Sequence, residues 1–304
     1  MKPNRSNLSV PGHREKMHAK ALASDADVVM FDLEDSVPPG QKSLARKTII
    51  HSLGQIKNCS KILTVRVNSV ETPFAFKDII EVVSAAGNLV DAIVVPKVNH
   101  PGDIHFVCRL LDGIEMDNNI EKKVQIEACI ETAKGLEQVS QIAGASPRIK
   151  SLVFGIADYS ASIGARLTSI SGHGENEDDM YPGHRWHYPL SRLVMAAKAN
   201  SLLAIDAPYG DFKNTGGLEQ SARMAQAIGC DGKWVIHPDQ IDAVNTIFTP
   251  SDQEIKRAKK IIDLFKAGGS AETRAIAIDG KMVDQATLRL AKQMVDQAVI
   301  LKLI

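Results

Sequence analysis

Short apolar runs alternate with amphipathic segments along most of the chain, and this alternation predicts a parallel α/β fold. Eight runs have the length of buried strands, and seven of the intervals are predicted to be helical. The predicted strands are Leu8–Val10, Val28–Leu33, Ile62–Val67, Ala92–Pro96, Val124–Ile130, Ser151–Ile156, Leu202–Asp206 and Lys233–Ile236. This pattern in 304 residues predicts a (β/α)8 TIM barrel.

A doubly wound parallel sheet would show the same alternation. Such a sheet usually carries a glycine-rich phosphate loop after its first strand. Neither the fingerprint GxGxxG nor a Walker A pattern occurs in this chain, so the barrel is the favoured interpretation. In a barrel, the active site is built from the loops that follow the C-terminal ends of the strands.

The last part of the chain differs from the barrel pattern. After Gly268–Gly269, two short apolar stretches flank Asp279–Gly280, a dipeptide typical of tight hairpin turns, and an amphipathic helix follows. The predicted hairpin strands and helix are Arg274–Ile278, Lys281–Val283 and Asp284–Ile300. We expect residues 1–267 to form the barrel and residues 268–304 to form a small C-terminal lid. The lid is too small to fold alone, so we expect it to dock on the barrel or on a neighbouring subunit.

Composition narrows the class of protein. The 36 basic and 36 acidic residues balance, which gives no reason to expect nucleic acid or an acidic membrane surface as a partner. No apolar run reaches the roughly 18 residues of a membrane span, and the N-terminus lacks a signal-peptide core. The four cysteines are scattered without a CxxC pair, which favours free thiols in a reducing compartment. We therefore expect a soluble cytoplasmic protein.

Two carboxylates follow neighbouring predicted strands. Glu131 and Asp158 lie after the apolar runs of a strand–helix–strand unit that spans Val124–Gly164. Both should leave a parallel sheet at the same edge. Two converging carboxylates suit a hard divalent cation such as Mg²⁺. Carboxylates after strands also commonly cap the next helix, so this pair alone leaves both interpretations open.

The other predicted strand ends are also rich in polar residues. They carry Asp32, Glu34, Asp35, Arg66, Asn68, Lys97, Asp206 and His237. One polar pocket with a metal and an anion-binding arginine would account for charge after nearly every strand. For Asp279, chemistry alone favours an ordinary turn residue.

Several segments resemble the HpcH/HpaI aldolase and citrate lyase β-subunit family, and in particular its malyl-CoA lyase branch. They read SVPGHREKMHAKALASDAD, FDLEDSVPPGQKSLARK, TVRVN, VVPKV, IETAKGL, GIADYSAS, DAPYGDF and GCDGKWVIHPDQI, and WHYPLSRLVMAAKAN matches that branch. The resemblance implies a barrel that uses a divalent metal, usually Mg²⁺ with Mn²⁺ as an option.

The resemblance also implies roles for individual residues. Glu131 and Asp158 match the metal carboxylates, and Arg66 matches an arginine that holds the carboxylate and carbonyl of a 2-oxo acid. The acidic motif matched by Asp32, Glu34 and Asp35 orders metal-bound water. Arg14 and Lys20 match basic positions that contact the phosphates of coenzyme A. Asp279 matches a catalytic acid/base on a lid that reaches a neighbouring subunit, which implies a homo-oligomer, a trimer or a hexamer.

The implied reaction is a reversible Claisen-type cleavage of a 3-hydroxyacyl-CoA. Malyl-CoA, β-methylmalyl-CoA or citramalyl-CoA would give acetyl-CoA or propionyl-CoA with glyoxylate or pyruvate. A malyl-CoA thioesterase and a non-catalytic CoA-binding or citrate lyase β-like subunit are the alternatives. The joint presence of Glu131, Asp158, Arg66 and Asp279 argues against a non-catalytic protein.

Overall fold

The computed structural model describes residues 2–165, 185–267, 275–278 and 281–304. The chain consists of two compact units. The larger unit is Asn4–Thr246, and the smaller unit is Ile247–Ile304 with Met1–Pro3. No helix within the described ranges is both long enough and apolar enough to cross a membrane.

Eight parallel strands of the larger unit form a closed barrel in chain order. They are β1 Ser6–Pro11, β2 Val28–Asp32, β3 Ile62–Arg66, β4 Ala92–Val95, β5 Gln125–Ile130, β6 Ile149–Phe154, β7 Leu203–Asp206 and β8 Gly232–Val235. Strand β1 pairs with both β2 and β8, which closes the barrel. The predicted TIM barrel is confirmed, and each of the eight predicted strands is present.

Helices follow the strands as the sequence pattern predicted. The helices described in this unit are α1 Glu15–Ala23, α2 Lys42–Gly54, α3 Ala75–Ala86, α4 Pro101–Asp117, α5 Ala133–Glu137, α6 Val139–Ala143, α7 Ile156–Ser162, α8 His187–Ala199, α9 Thr215–Ile228 and α10 Ile241–Ile247. Helix α3 illustrates why they form, since Ile79, Val82, Val83 and Ala86 are buried at helical spacing. The single helix of the predicted strand–helix–strand unit over Val124–Gly164 is two short helices, α5 and α6.

The barrel interior positions the polar residues at its C-terminal end. Met30, Val94, Cys129, Val153, Ile205 and Trp234 form one buried apolar cluster. Side chains alternate between the two faces of a strand, so a residue two positions further along points to the same face. Asp32 follows Met30 and Glu131 follows Cys129 at this spacing, so both carboxylates belong to the interior face of the barrel.

Another layer of the interior is polar. Thr64 pairs with Met30 and Glu127 pairs with Val94, so both face the inside of the barrel. Thr64 is fully buried and Glu127 is 1% exposed, and neither side chain has a hydrogen-bond partner among the described residues. The Lys150 ammonium lies 3.5 Å from the Glu127 carboxylate. Burial raises the pKa of Glu127 despite this lysine.

The smaller unit contains a hairpin and two helices. Strands β9 Ala275–Ile278 and β10 Lys281–Asp284 pair antiparallel, and the helices are α11 Asp252–Ala267 and α12 Gln285–Ile300. Ala258, Ile261, Val283 and Ala291 form their apolar core. The predicted hairpin and final helix are confirmed. Asp279 lies outside the described residues, and the division into residues 1–267 and 268–304 stays a prediction.

Candidate active site

Charged side chains from the ends of five neighbouring strands meet at the C-terminal end of the barrel. Asp32 and Arg66 are the last residues of β2 and β3, and their backbones are paired. Lys97 follows β4, and Glu131 comes directly after β5. Asp158 lies in α7, which follows β6. The sequence predicted this convergence from strand ends alone, and the structure brings these residues together.

The Arg66 guanidinium is held by two carboxylates. Its Nε and Nη2 donate to the two carboxylate oxygens of Asp32 at 2.7 and 2.8 Å, a bidentate arrangement. Its Nη1 lies 2.8 Å from Glu34 Oε2 and 3.8 Å from Asp35 Oδ2. Burial alone would lower the pKa of Arg66, but the charge and hydrogen bonds of Asp32, together with the charges of Glu34 and Asp35, raise this pKa above its usual value, so the side chain stays cationic.

Backbone and side-chain donors fix the acidic loop after β2. The Glu34 amide donates to Asp32 Oδ1, and the amide and hydroxyl of Ser36 donate to Asp32 Oδ2. The buried Lys42 ammonium donates to the carbonyls of Leu33 and Glu34, both at 2.7 Å. Burial would raise the pKa of Asp32, but Arg66 and the loop donors lower it below its usual value. Asp32 is therefore ionised at neutral pH, and its carboxylate orients Arg66.

Glu131 is buried among other charges. Its Oε1 accepts the Lys97 backbone N–H at 2.7 Å, and its carboxylate packs directly on Gly155. Burial, followed by the negative charge of Glu34, raises the pKa of Glu131 to about 7. Thr132, rather than Glu131, caps helix α5 by accepting the Gly135 amide. The capping interpretation of Glu131 is therefore wrong.

Asp158 is placed differently from the prediction. The sequence pattern extended strand six to Ile156, whereas β6 ends at Phe154 and α7 begins at Ile156. Gly155 separates the two elements, so Asp158 lies in the first turn of a helix rather than in a loop. Its side chain is 38% exposed, and its Oδ2 lies 3.2 Å from the Lys97 ammonium. It remains beside the cluster and accessible from solvent.

Lys97 is the residue to which the sequence assigned no role. Its ammonium donates to Glu34 Oε1 at 2.5 Å, in addition to its contact with Asp158. Its backbone lies in the left-handed region at φ 53°, which is uncommon for a residue other than glycine. Burial would lower the pKa of Lys97, but Glu131 and Glu34 raise it, so it remains an ammonium. The only signal in the sequence was its position after a strand.

The donor set fits a divalent cation held by two carboxylates. In the described part of the chain, no three His, Cys, Asp or Glu side chains form a group able to hold a metal by themselves. Mg²⁺ usually takes one or two carboxylates and completes its shell with water and substrate. Glu131 Oε2 lies against Gly155, and a β-carbon at residue 155 would leave no room for this oxygen. The charge of Asp158 contributes to the raised pKa of Glu131. These two carboxylates are the candidate ligands.

The remaining predicted site residues lie outside this cluster or at its edge. Arg14 and Lys20 are exposed on and just before α1, and Asp35 is largely exposed, with its carboxylate 4.0 Å from the Lys97 ammonium. Asn68 is structural, because its side-chain amide donates to Leu33 and Asp78. The roles of Arg14, Lys20 and Asp35 stay predictions.

Asp206 is not part of the cluster, contrary to the prediction from strand ends. Its fully buried carboxylate accepts a hydrogen bond from Lys233 Nζ at 2.5 Å, and the same ammonium contacts Ser221 of α9. Lys233 neighbours Trp234, which faces the barrel interior, so Lys233 points outward toward the helices. Side chains alternate between the two faces of a strand, so Asp206 points out of the barrel, although its position at the end of a strand suggested the active site.

Comparison with known proteins agrees with this geometry. Residues 5–238 match the family model for HpcH/HpaI aldolase/citrate lyase. The chain is 37% identical over 302 residues to an L-malyl-CoA/β-methylmalyl-CoA lyase of Cereibacter sphaeroides. The alignment covers 98% of this chain and 95% of that protein. The chain is 30% identical to a (3S)-malyl-CoA thioesterase of the same species, over 97% of this chain and 95% of the relative.

A solved structure shares the architecture. The CitE protein of Mycobacterium tuberculosis, crystallised with magnesium, acetoacetate and coenzyme A, aligns with a TM-score of 0.77 and 26% identity. The alignment covers 98% of both chains. The family model spans most of the chain and the lyase matches it over nearly its whole length, so this protein belongs to the HpcH/HpaI aldolase/citrate lyase family and is a carbon–carbon lyase.

Proposed function

We propose that this protein is a divalent-metal-dependent lyase for 3-hydroxyacyl-CoA thioesters of the malyl-CoA type. Malyl-CoA or β-methylmalyl-CoA would give glyoxylate with acetyl-CoA or propionyl-CoA, and citramalyl-CoA would give pyruvate with acetyl-CoA. The observation that carries the proposal is the meeting of Arg66 with Glu131 and Asp158 at one end of the barrel. The lyase and CitE relatives supply the substrate class.

Glu131 and Asp158 would hold the metal, for which Mg²⁺ is the first candidate and Mn²⁺ the second. When bound, the ion supplies Lewis acidity that polarises the oxygen on the carbon released as the 2-oxo acid. The chain prepares this position in two ways. The Lys97 amide fixes one oxygen of Glu131, and Gly155 leaves room for the other.

Arg66 would bind the carboxylate of the 2-oxo acid portion. Asp32 fixes the plane of the guanidinium through Nε and Nη2, so the arginine is oriented before substrate arrives. Each terminal nitrogen carries a second N–H, and these are the donors that we assign to the substrate. Glu34 and Asp35 lie on the same side of Arg66, where they would accept hydrogen bonds from ordered water.

The cleaved bond joins the hydroxyl-bearing carbon to the carbon next to the thioester. Its electron pair passes to the thioester portion as an enolate, the hydroxyl proton passes to solvent water, and the released carbon becomes a carbonyl. We assign the return of a proton to the enolate carbon to Asp279, which lies outside the described residues. A lid supplied by a neighbouring subunit would place Asp279 there, so a homo-oligomer, a trimer or hexamer, is part of the proposal.

Coenzyme A would approach the same end of the barrel. Arg14 directly precedes α1, after the C-terminal end of β1, and both Arg14 and Lys20 are exposed. Arg14 therefore lies near the mouth of the barrel, and Lys20 lies in the last turn of α1. Exposed cations of this kind suit phosphate groups, which bind Arg and Lys through charge-assisted hydrogen bonds. Their replacement by Ala should raise the KM for the thioester and leave kcat nearly unchanged.

A product assay tests the proposal. Purified protein with Mg²⁺ would be given malyl-CoA, β-methylmalyl-CoA and citramalyl-CoA in turn, while free CoA, acyl-CoA and 2-oxo acid are measured together. A 2-oxo acid formed in equal amount with a shorter acyl-CoA is the expected result. Free CoA with malate and no 2-oxo acid would instead assign the activity of the thioesterase relative.

A further inference from the structure

We infer that Lys97 is a fixed counter-cation that weakens divalent-metal binding and strengthens binding of the anionic 2-oxo acid. The inference rests on the proposed function, because it concerns the same metal and acid. Lys97 would be a positioning residue, since its contacts are with carboxylates of the chain rather than with reacting atoms.

The position of Lys97 is set by its backbone. Residue 97 lies at φ 53° immediately after β4, and its N–H donates to Glu131 Oε1 at 2.7 Å. The next amide, that of Val98, donates to the Cys129 carbonyl at 3.1 Å. These two bonds tie the turn to β5. A strained backbone that persists at a functional site indicates that its surroundings hold it in place.

The Lys97 side chain joins two parts of the site. Its ammonium lies 2.5 Å from Glu34 Oε1 and 3.2 Å from Asp158 Oδ2. Glu34 belongs to the acidic loop that contacts Arg66, whereas Asp158 is a candidate metal ligand. A single positive charge therefore stands beside the position proposed for a divalent cation, and it neutralises part of the charge that would attract that cation.

The charges of the cluster indicate the consequence. Five carboxylates face two cations, an excess of three negative charges if all are ionised. The members are Asp32, Glu34, Asp35, Glu131 and Asp158 with Arg66 and Lys97. Without Lys97 the excess would be four. A more negative site attracts a divalent cation more strongly and repels a 2-oxo acid anion more strongly, so the two effects have opposite signs.

Arg66 cannot replace this function. Its guanidinium is shared between Asp32 and Glu34, so most of its charge is balanced before an anion arrives. Lys97 balances the remaining charge of Glu34 and part of that of Asp158. With both lysine and arginine present, the loaded site can accept a negatively charged acid.

The test uses Lys97→Met, which keeps an unbranched side chain and adds no new backbone restriction. Mn²⁺ binding would be measured by electron paramagnetic resonance, and glyoxylate binding at saturating Mg²⁺ by calorimetry. We expect Mn²⁺ to bind roughly tenfold more tightly and glyoxylate roughly tenfold more weakly than in the wild type. Lys97→Arg keeps the charge and should return both affinities to within about threefold of the wild type. Lys134→Met, an exposed lysine on α5, is the matched control and should change neither affinity.

Each other outcome overturns the inference. Weaker binding of both ligands to Lys97→Met would show that the lysine only maintains the fold of the site. Unchanged affinities would show that its charge has no effect. A wild-type protein that binds no divalent ion would overturn the metal dependence of the proposed function as well, and this result is separate from the first two because it needs no variant.

Discussion

Gly155 and Glu131 lie in direct contact. A β-carbon on residue 155 would stand 2.3 Å from Glu131 Oε2 and 2.5 Å from Glu131 Cβ. The backbone of Gly155 has an ordinary φ of −106°, so space rather than backbone conformation requires glycine here. The strand-to-helix turn after β6 therefore fixes where the Glu131 carboxylate can be.

Gly155→Ala should displace the Glu131 carboxylate and weaken metal binding. Supporting groups of this kind typically change metal affinity by about 10–100-fold, and we expect a loss in that range. Calorimetry with Mn²⁺ measures it. Gly113→Ala is the control, because no atom lies within 4 Å of the β-carbon that would be added there. Unchanged metal affinity in Gly155→Ala would show that Glu131 is not a ligand.

Arg66→Lys should lower kcat/KM by about 100-fold or more, although the charge is kept. A lysine cannot reproduce the planar fork that meets Asp32 and leaves further donors for a substrate carboxylate. Steady-state kinetics with malyl-CoA and Mg²⁺ provide the measurement, and circular dichroism verifies folding. Activity within a factor of about three of the wild type would remove Arg66 from the proposed mechanism.

Metal affinity should depend on pH below neutrality. The pKa of Glu131 is raised to about 7, so the metal-free protein carries a proton there in acid. A metal must release that proton, so its affinity should fall by up to about tenfold per pH unit below 7 and level off above it. Calorimetry in buffers of different ionisation enthalpy counts the protons, with about one expected near pH 6 and almost none near pH 8. No proton release near pH 6 would contradict the assignment.

Glu127→Gln should stabilise the protein in alkali. Burial raises the pKa of Glu127 in the folded state, so its favourable protonated form is lost as the pH rises. The wild type is therefore penalised at high pH, and glutamine removes that penalty while keeping the shape. We expect Tm to rise by about 2 °C or more near pH 8 and by less near pH 5. An equal shift at both pH values would show that ionisation of Glu127 is not involved.

Asp206→Asn should destabilise the barrel and leave the kcat of the enzyme unchanged. The Lys233 ammonium would remain fully buried without its anion, a change that typically costs about 3–5 kcal/mol. Denaturant unfolding measures this loss. The double variant Asp206→Leu, Lys233→Met removes both charges and should recover much of the stability. A loss of kcat in folded Asp206→Asn would instead return Asp206 to the active site.

The sequence was sufficient to predict the barrel because its eight short apolar runs alternate with segments that are almost all helical in pattern. It also located Glu131 and Arg66, since carboxylates and an arginine directly after buried strands are unusual unless they share a site. The hairpin around Asp279–Gly280 was predictable from turn chemistry. These are all local signals within a few residues.

Other features depend on geometry that local patterns do not contain. Asp206 was assigned to the site because it ends a strand, but its side chain is on the outer face of the barrel, where it contacts Lys233 of β8. The role of Lys97 depends on a left-handed backbone and on contacts with Glu34 and Asp158, which are distant in sequence. Asp158 was placed after a strand because the apolar run continues through Ile156 into α7.

The metal-dependent lyase mechanism is tested by comparing the wild type with the double variant Glu131→Gln, Asp158→Asn in the presence of Mg²⁺. Acetyl-CoA, glyoxylate and free CoA formed from malyl-CoA would be followed together, with Mn²⁺ binding measured on both proteins. We expect equal amounts of acetyl-CoA and glyoxylate from the wild type, and neither cleavage nor Mn²⁺ binding in the folded variant. Equal cleavage by both proteins, or free CoA without glyoxylate, would contradict this mechanism.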